Sequence, residues 1–327
     1  MNDEQTAELR GEDHPVEPPT APTHAPPFAA DVRQFWAGTG AGAPQEPDAT
    51  LPSHAVPNNR AGSHNLRTLR TLLSDRDLEI LEFVYEHRIV TTRQIQRMLF
   101  ALHATTDAGT RACNRVLTRL REKRFLHRLE RPVGGVRGGS GAFAWMLGAA
   151  GDRAIRDSLS LDGPRQRLFD PTPLHLNHTL AVTEVRVAAV EAARRGDFEL
   201  VAVETEPACW RDYVGPSGVS VTLKPDLFVR TAAGEFEDYW FLEIDRGTES
   251  LPTLIRKCLA YERHRSSGRE QASTGVYPRV VWLIAEPRRR LALKRALAAD
   301  SRVRSDLFVV VDPLDLINLL RHPESDW

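Results

Sequence analysis

Three stretches between residues 72 and 126 repeat apolar side chains at helical spacing. The first, LSDRDLEILEFVYEHRIV, begins with Ser74 as an N-cap and carries Asp77 three residues later, the arrangement of a capping box. A second helix is predicted in VTTRQIQRMLF, with Thr91 or Thr92 as its cap. After the polar break HATTDAG, a third helix is predicted in TRACNRVLTRLREKRFL.

The third of these helices would bury one apolar stripe and expose a basic face. Its stripe comprises Ala112, Cys113, Val116, Leu117 and Leu120. Two strand-like arms around a glycine-rich tip follow, in HRLERPVGGVRGGSGAFAWMLG. Three helices followed by such a hairpin predict a winged helix-turn-helix over residues 64–150.

The remainder of the chain alternates helical and strand patterns. Residues 151–173 contain proline and have no sustained period, which predicts a connector. Residues 174–327 then follow the order α-β-β-β-α-β-α-β, starting with the helix LHLNHTLAVTEVRVAAVEAARRG, which Gly196 would end. The order predicts an α/β (α+β) domain in which helices flank a mixed sheet.

Composition predicts the character of the N-terminal segment and the cellular location. Residues 1–63 are rich in proline, glycine and alanine, which predicts a disordered, acidic tail. No apolar run is long enough to span a bilayer, so no membrane association is expected. The three cysteines are widely separated and lack zinc-type spacing, which favours a reducing, cytoplasmic location.

Charge is distributed unevenly, although the whole chain has a net charge of −1. The balance is −6 over residues 1–63, +7 over residues 64–150 and −2 over residues 151–327. A basic module between two more acidic segments is typical of a nucleic-acid-binding protein, although an arginine-rich surface can also be merely solvated.

The position of the basic side chains favours double-stranded DNA as the partner. The third helix of a winged helix-turn-helix enters the major groove, where guanidinium and amide groups pair with base edges. The predicted DNA-binding residues are Arg111, Asn114, Arg115 and Arg119 on this helix and Arg137 at the wing tip. The alternative is a winged helix that contacts only other proteins.

Two strand-like runs bring acidic residues to one place. If the hairpin VTLKPDLFVRTAAGEFEDYWFLEIDRG turns at Gly234–Glu235, Asp226 lies opposite Glu243, with about 5 Å between their Cβ atoms. Asp245 shares the face of Glu243 because side chains alternate along a strand. Carboxylates this close repel each other unless a cation or a basic side chain lies among them, and Mg²⁺ prefers these oxygen ligands.

The pattern KPDLFV followed by FLEIDRG resembles the PD-(D/E)xK nuclease-like superfamily, whose domain is restriction-endonuclease-like. The resemblance implies catalytic roles for Asp226 and Glu243, with Glu184 as a further metal ligand. The superfamily's lysine would stand where this chain has Asp245. Lys257 or Lys224 would have to replace that lysine.

Several segments in order, from LSDRDLEILEFVYEHRIVTTRQIQRMLF through LNHTLAVTEVRVA to KCLAYERH, resemble the replication-relaxation family of bacterial plasmids and integrative elements. The resemblance covers about residues 70–300. It implies a role in plasmid replication, in its control or in the topological state of DNA. Replication or conjugation proteins of the same element would be partners, and a homodimer is an open option.

The sequence leaves three functions open. The preferred one is DNA binding without cleavage, because the expected lysine is replaced by Asp245. A Mg²⁺-dependent nickase or nuclease that uses Asp226, Glu243 and Lys257, with Glu184 or Asp245 as further metal ligands, is the first alternative. A transcriptional repressor with a dimerising second domain is the other. His175 and His178 are interpreted as helix-start residues, because no further metal ligand accompanies them.

Overall fold

The structure, a computed structural model, describes residues 71–130, 143–161, 165–166, 168–215 and 217–325. The predicted tail over residues 1–63, and Arg137 at the predicted wing tip, lie outside these residues. The first part of the fold contains helices and short strands: α1 (Asp75–His87), β1 (Val90–Thr91), α2 (Thr92–Leu99), α3 (Thr106–Glu122), β2 (Leu126–Arg128), β3 (Ala144–Leu147) and α4 (Ala149–Ser158).

Side-chain caps fix the starts of α1 and α2. Ser74 and Asp77 form the predicted capping box at the start of α1. At α2 the cap is Thr91, the first of the two predicted candidates, and Gln94 completes a second capping box. Each box satisfies backbone N–H groups that have no partner within the helix.

Helix α3 begins earlier than its sequence pattern predicted. Thr105 is the N-cap, so the first residues of the helix come from the stretch predicted as a break. Gly109, whose presence suggested a break, lies inside the helix, where a Cβ atom would be 2.8 Å from the carbonyl oxygen of Phe100. The glycine therefore serves a close helix contact rather than a turn. The predicted apolar stripe faces the core, with Cys113, Leu117 and Leu120 buried.

Strands β1, β2 and β3 form a small antiparallel sheet in the order β1-β3-β2. The two arms predicted around the tip are β2 and β3, whereas β1 was not predicted. The predicted connector is wrong for its first part, because α4 continues to Ser158 and buries Ile155. Its ten residues make fewer than three turns, which gave too few repeats for the helical period to be recognised.

The second part of the fold follows the predicted order of helices and strands, with four short elements added. Its elements are α5 (Pro173–Arg195), β4 (Glu199–Thr205), β5 (Arg211–Val214), β6 (Ser220–Leu223), β7 (Leu227–Ala233), β8 (Phe236–Asp245), α6 (Leu251–Ser266), α7 (Arg269–Thr274), β9 (Arg279–Ile284), α8 (Pro287–Ala299), β10 (Phe308–Val311) and α9 (Leu316–Arg321). The additions are the hairpin β5–β6 and the short helices α7 and α9.

A five-stranded mixed sheet in the order β10-β9-β8-β7-β4 forms the centre of this part. Strand β7 is antiparallel to both of its neighbours, β4 and β8, whereas β8, β9 and β10 run parallel to one another. Helices α5 and α9 cover one face, where Trp240 is fully buried. Helices α6 and α8 cover the other face, where Phe241 is fully buried. The mixed α/β fold is therefore as predicted.

Helix α5 joins the two parts of the fold because it is buried on both sides. One side packs on the sheet, and Val187 on another side joins the core of α1–α3. Between α5 and α2, Arg97 forms ion pairs with Glu184 and Glu191. Gln94 donates to Glu184 at 3.2 Å. A buried ion cluster thus holds α2 against the sheet domain.

Replacing Arg97 with alanine is expected to destabilise the fold by roughly 3–5 kcal/mol, since the Glu184 carboxylate, 1% exposed, would lose its cation. Urea denaturation would measure the loss. Arg302→Ala, which removes an exposed ion pair with Asp300, is the control and should leave the midpoint nearly unchanged. Equal effects of the two substitutions would contradict a stabilising role for the cluster.

Candidate functional site

The exposed face of α3 carries the predicted DNA-binding side chains. Arg111, Asn114 and Arg115 are solvent-exposed and lie within about one helical turn of each other. Arg119 is exposed as well, but its guanidinium pairs with the carboxylate of Asp77, which is completely buried in α1. Arg119 therefore also secures α3 to α1, a second role that the sequence did not indicate.

A further cation lies where β2 and β3 enter the undescribed segment 131–142. The guanidinium of Arg128 lies over the ring of Phe143, 4.1 Å from its centroid. Phe143 is 43% exposed, so this stacked pair lies at the surface. Arg128 pairs with Trp145, so Phe143 is its diagonal neighbour, and a basic residue diagonal to an aromatic residue across a predicted hairpin is the signal that could have identified the pair.

The hairpin β7–β8 has the predicted register. Leu227 pairs with Leu242 and Val229 with Trp240, and the turn lies at Gly234–Glu235. Asp226 precedes the first paired residue of β7, and its backbone N–H donates to the carbonyl oxygen of Leu242 at 3.2 Å. Asp226 and Glu243 are 8% and 2% exposed, so both carboxylates lie largely out of water.

Asp226 closes the open end of the hairpin. Its Oδ2 accepts the backbone N–H of Ile244 at 2.7 Å, at a point where β8 continues beyond β7. Its Oδ1 lies 3.1 Å from Nε2 of His178, which comes from α5. Burial alone would lower the pKa of His178, but the hydrogen bond and charge of Asp226 outweigh burial and raise it. His178 is thus a partner of the acid rather than only a helix-start residue.

Glu243 receives two groups from α6. The hydroxyl of Tyr261 donates to Oε1 at 2.6 Å, and Nζ of Lys257 lies 3.4 Å from Oε2. Burial, reinforced by the charge of Asp226, raises the pKa of Glu243 to about 8. The surrounding carboxylates raise the pKa of Lys257 above its usual range, although burial opposes them. Lys257 therefore remains a cation and is a poor general base.

Asp245 does not join Asp226 and Glu243, because its carboxylate binds an arginine of another helix. Arg289 of α8 binds both of its oxygens, with Nη2 2.9 Å from Oδ1, and the N–H of Gly247 donates to Oδ1 at 3.0 Å. Asp245 binds Arg289, and Glu249 lies 3.2 Å from Lys257.

Two other predicted residues also lie away from Asp226 and Glu243, which together are called the acidic pair below. Glu184 is bound by Arg97 and Gln94 at the junction between α5 and α2. Lys224, considered as a substitute lysine, lies with Nζ 4.3 Å from the centroid of the Trp210 ring. Of the predicted site residues in the sheet domain, the structure brings together Asp226, Glu243 and Lys257.

Comparison with protein families supplies the context for these two sites. The sequence profile described as replication-relaxation matches residues 81–280, which is more than half of the chain. The chain belongs to the replication-relaxation family. A search of curated proteins and a search of solved structures gave no significant match.

Membership of this family suggests a role in the replication of a plasmid or a related element. None of the helices that the structure describes in this replication-relaxation protein is long and apolar enough to cross a membrane.

In this replication-relaxation protein, the arrangement of the acidic pair does not suit the binding of a divalent metal ion. All four carboxylate oxygens of Asp226 and Glu243 have protein partners, namely Ile244, His178, Tyr261 and Lys257. Within the described residues, no group of three or more His, Cys, Asp or Glu side chains is arranged to hold a metal. Each oxygen that a metal would need therefore already has a hydrogen-bond partner in the protein.

Substituting Glu243 with glutamine tests the protonation of this site. The pKa of Glu243 is raised from 4.5 to about 8, so folding favours its protonated carboxyl. The protonated group therefore stabilises the fold fully below about pH 4.5, and this stabilisation disappears as the pH rises to about 8. Glutamine mimics the protonated form at every pH. The free energy of unfolding of E243Q relative to wild type should therefore rise from about pH 5 to pH 8, measured by urea denaturation. A difference that is constant with pH would contradict the assignment.

Proposed function

We propose that this replication-relaxation protein binds double-stranded DNA at a locus of a bacterial plasmid or integrative element, during replication or its control, and does not cleave the DNA. In the proposal, residues 64–150 act as a winged helix-turn-helix and residues 174–327 as a nuclease-like domain that no longer cuts. The observation that carries the proposal is the exposure of Arg111, Asn114 and Arg115 together on one face of α3.

The chemistry of these side chains matches duplex DNA. Arginine and asparagine make paired hydrogen bonds to guanine and adenine edges in the major groove, which admits a helix such as α3. Arg128 on the ring of Phe143 adds a cation beside this helix. Phosphate contacts from Arg128 and from Arg137 would position the helix without reading sequence.

Binding without cleavage is supported by the partners of the acidic pair. Cleavage with Mg²⁺ requires carboxylate oxygens that are available to the metal and a group that can accept or supply a proton. Here Lys257 remains protonated and the oxygens of Asp226 and Glu243 are engaged by the protein. The same contacts give Asp226 and Glu243 a structural role, because they close the hairpin and attach α6 to it.

Substitution of Arg111 or Arg115 with alanine should weaken binding to duplexes selected from a random pool. Loss of one base or phosphate contact costs about 1–3 kcal/mol, which is roughly a 5- to 150-fold increase in Kd. Fluorescence anisotropy at several salt concentrations would measure Kd and its salt dependence. Arg302→Ala, on the loop after α8, is the control and should bind as wild type does. Unchanged binding by both α3 variants would refute the assignment of α3.

A supercoiled plasmid incubated with the purified protein and Mg²⁺ or Mn²⁺ is expected to stay supercoiled, while its mobility in a gel is shifted by binding. Asp226→Ala and Glu243→Ala serve as comparisons. Loss of supercoiling by the wild type, but not by these variants, would replace the proposal by a metal-dependent nickase.

A further inference from the structure

Helices α6 and α8 lie side by side on one face of the central sheet. Helix α6, followed by α7, connects β8 to β9, and α8 connects β9 to β10. Because both helices return between parallel strands and pack against each other, their axes run roughly parallel, about 8–10 Å apart. The core of α1–α3 is joined by α5, which lies on the opposite face of the sheet. The surface of α6 and α8 is therefore separate from the basic face of α3.

The two helices are strongly basic, although the whole chain has a net charge of −1. They carry nine Lys or Arg residues, four in α6 and five in α8, and a single carboxylate, that of Glu262. Glu262 is 7% exposed, and it accepts from the backbone N–H of Arg304 at 2.6 Å and from Nε of Arg265 at 3.0 Å. It is therefore not available to balance cations on the outer surface.

The nine cations divide into a paired and an unpaired set. Four form ion pairs with carboxylates, namely Lys257, Arg265, Arg289 and Arg290. The other five are exposed and form no ion pair with any described residue, and they are Arg256, Arg263, Arg288, Lys294 and Arg295. Arg256 donates to the hydroxyl of Thr253 at 2.9 Å, which leaves its charge unbalanced. These five side chains are called the α6–α8 basic face below.

The carboxylates at the two ends of α8 are engaged as well. Glu286 caps the helix by accepting the backbone N–H groups of Arg288 at 2.9 Å and Arg289 at 2.6 Å. Asp300, at the other end, lies 2.7 Å from Arg302. The positive charge of the α6–α8 basic face is therefore not balanced by these neighbours, and such a surface attracts polyanions.

The cations of the α6–α8 basic face form two rows. Arg256 and Arg263 in α6 are seven residues apart, as are Arg288 and Arg295 in α8, so each pair lies on one side of its helix and spans about 10 Å along the axis. The rows outline a surface about 10 Å on each side. Duplex DNA carries one phosphate charge per about 1.7 Å of its axis, so a segment of this length carries about six charges. The size and charge of the face suit a short length of DNA backbone.

The shape of the face favours phosphates over bases. The major groove is about 12 Å wide and admits one helix, whereas two adjacent helices are together about 20 Å wide. Tyr261 and His264, the aromatic residues of the two helices, are buried, so the face has no ring for the stacking that single strands use. Of the large apolar side chains in these helices, Leu291 alone is exposed, which is too little apolar surface to anchor a membrane or a protein partner.

We propose that the α6–α8 basic face binds the phosphate backbone of duplex DNA without reading its sequence. The sheet domain then contacts DNA through a surface of its own, and any plasmid segment is a sufficient ligand. Binding at this face does not depend on binding by α3, because the two surfaces belong to different parts of the fold and have no side chain in common.

The test measures the binding of a mixed-sequence duplex to the full chain by fluorescence anisotropy at several salt concentrations. The α8 variant carries the substitutions Arg288→Gln, Lys294→Gln and Arg295→Gln. The α6 variant carries Arg256→Gln and Arg263→Gln. The matched control removes three arginines that do have carboxylate partners, through Arg302→Gln, Arg304→Gln and Arg321→Gln. The control and the α8 variant therefore change the net charge equally. All substituted side chains are exposed, so each variant should unfold thermally as wild type does.

Each phosphate contact contributes about 0.9 to the steepness of log K against log salt concentration, so the steepness should fall by about 2–3 in the α8 variant and by about 1–2 in the α6 variant. The control should have the slope of wild type. The same differences are expected in a protein that also carries Arg111→Ala and Arg115→Ala, so the assignments of α3 and of the α6–α8 basic face can fail separately.

Wild-type slopes in both the α6 and the α8 variants would overturn the proposal, and so would a control that loses as much steepness as the α8 variant. Poly-L-glutamate, added at the same charge concentration as unlabelled duplex, tests for an acidic protein as the occupant. It should displace the labelled duplex from the Arg111→Ala, Arg115→Ala protein at least tenfold less effectively than duplex does. Equal displacement would mean that the face binds any polyanion, which would contradict a DNA site.

Discussion

Two carboxylates that share one face of the β7–β8 hairpin are buried together, and their mutual repulsion has to be offset by neighbouring groups. Asp226 is offset by a backbone N–H and by His178, and Glu243 by Tyr261 and Lys257. These contacts attach α5 and α6 to the end of the sheet. The acidic pair therefore organises the packing at this end of the domain.

Local features of the fold could be predicted from the sequence. The capping box of Ser74 and Asp77 and the register that places Asp226 opposite Glu243 each depend on residues close in the chain or on a single turn. The stripe on α3 follows from helical periodicity. Such features are determined by backbone geometry, so the pattern of side chains was sufficient to find them.

The partners of the site residues could not be predicted in the same way. His178, Tyr261 and Arg289 reach the acids from three different helices, and their contacts depend on how those helices pack on the sheet. Glu184 was predicted as a ligand, whereas the structure pairs it with Arg97 from α2. Charge and sequence order alone do not indicate which of several cations will lie beside a given carboxylate.

The claim that the protein's own groups occupy the oxygens of the acidic pair is tested most directly by titrating Mg²⁺ and Mn²⁺ into the purified protein in a calorimeter. The account predicts no saturable heat, because all four carboxyl oxygens of Asp226 and Glu243 already have protein partners. Binding of one ion per chain that disappears in Asp226→Asn would contradict the account, and it would mean that the site exchanges its protein partners for a metal.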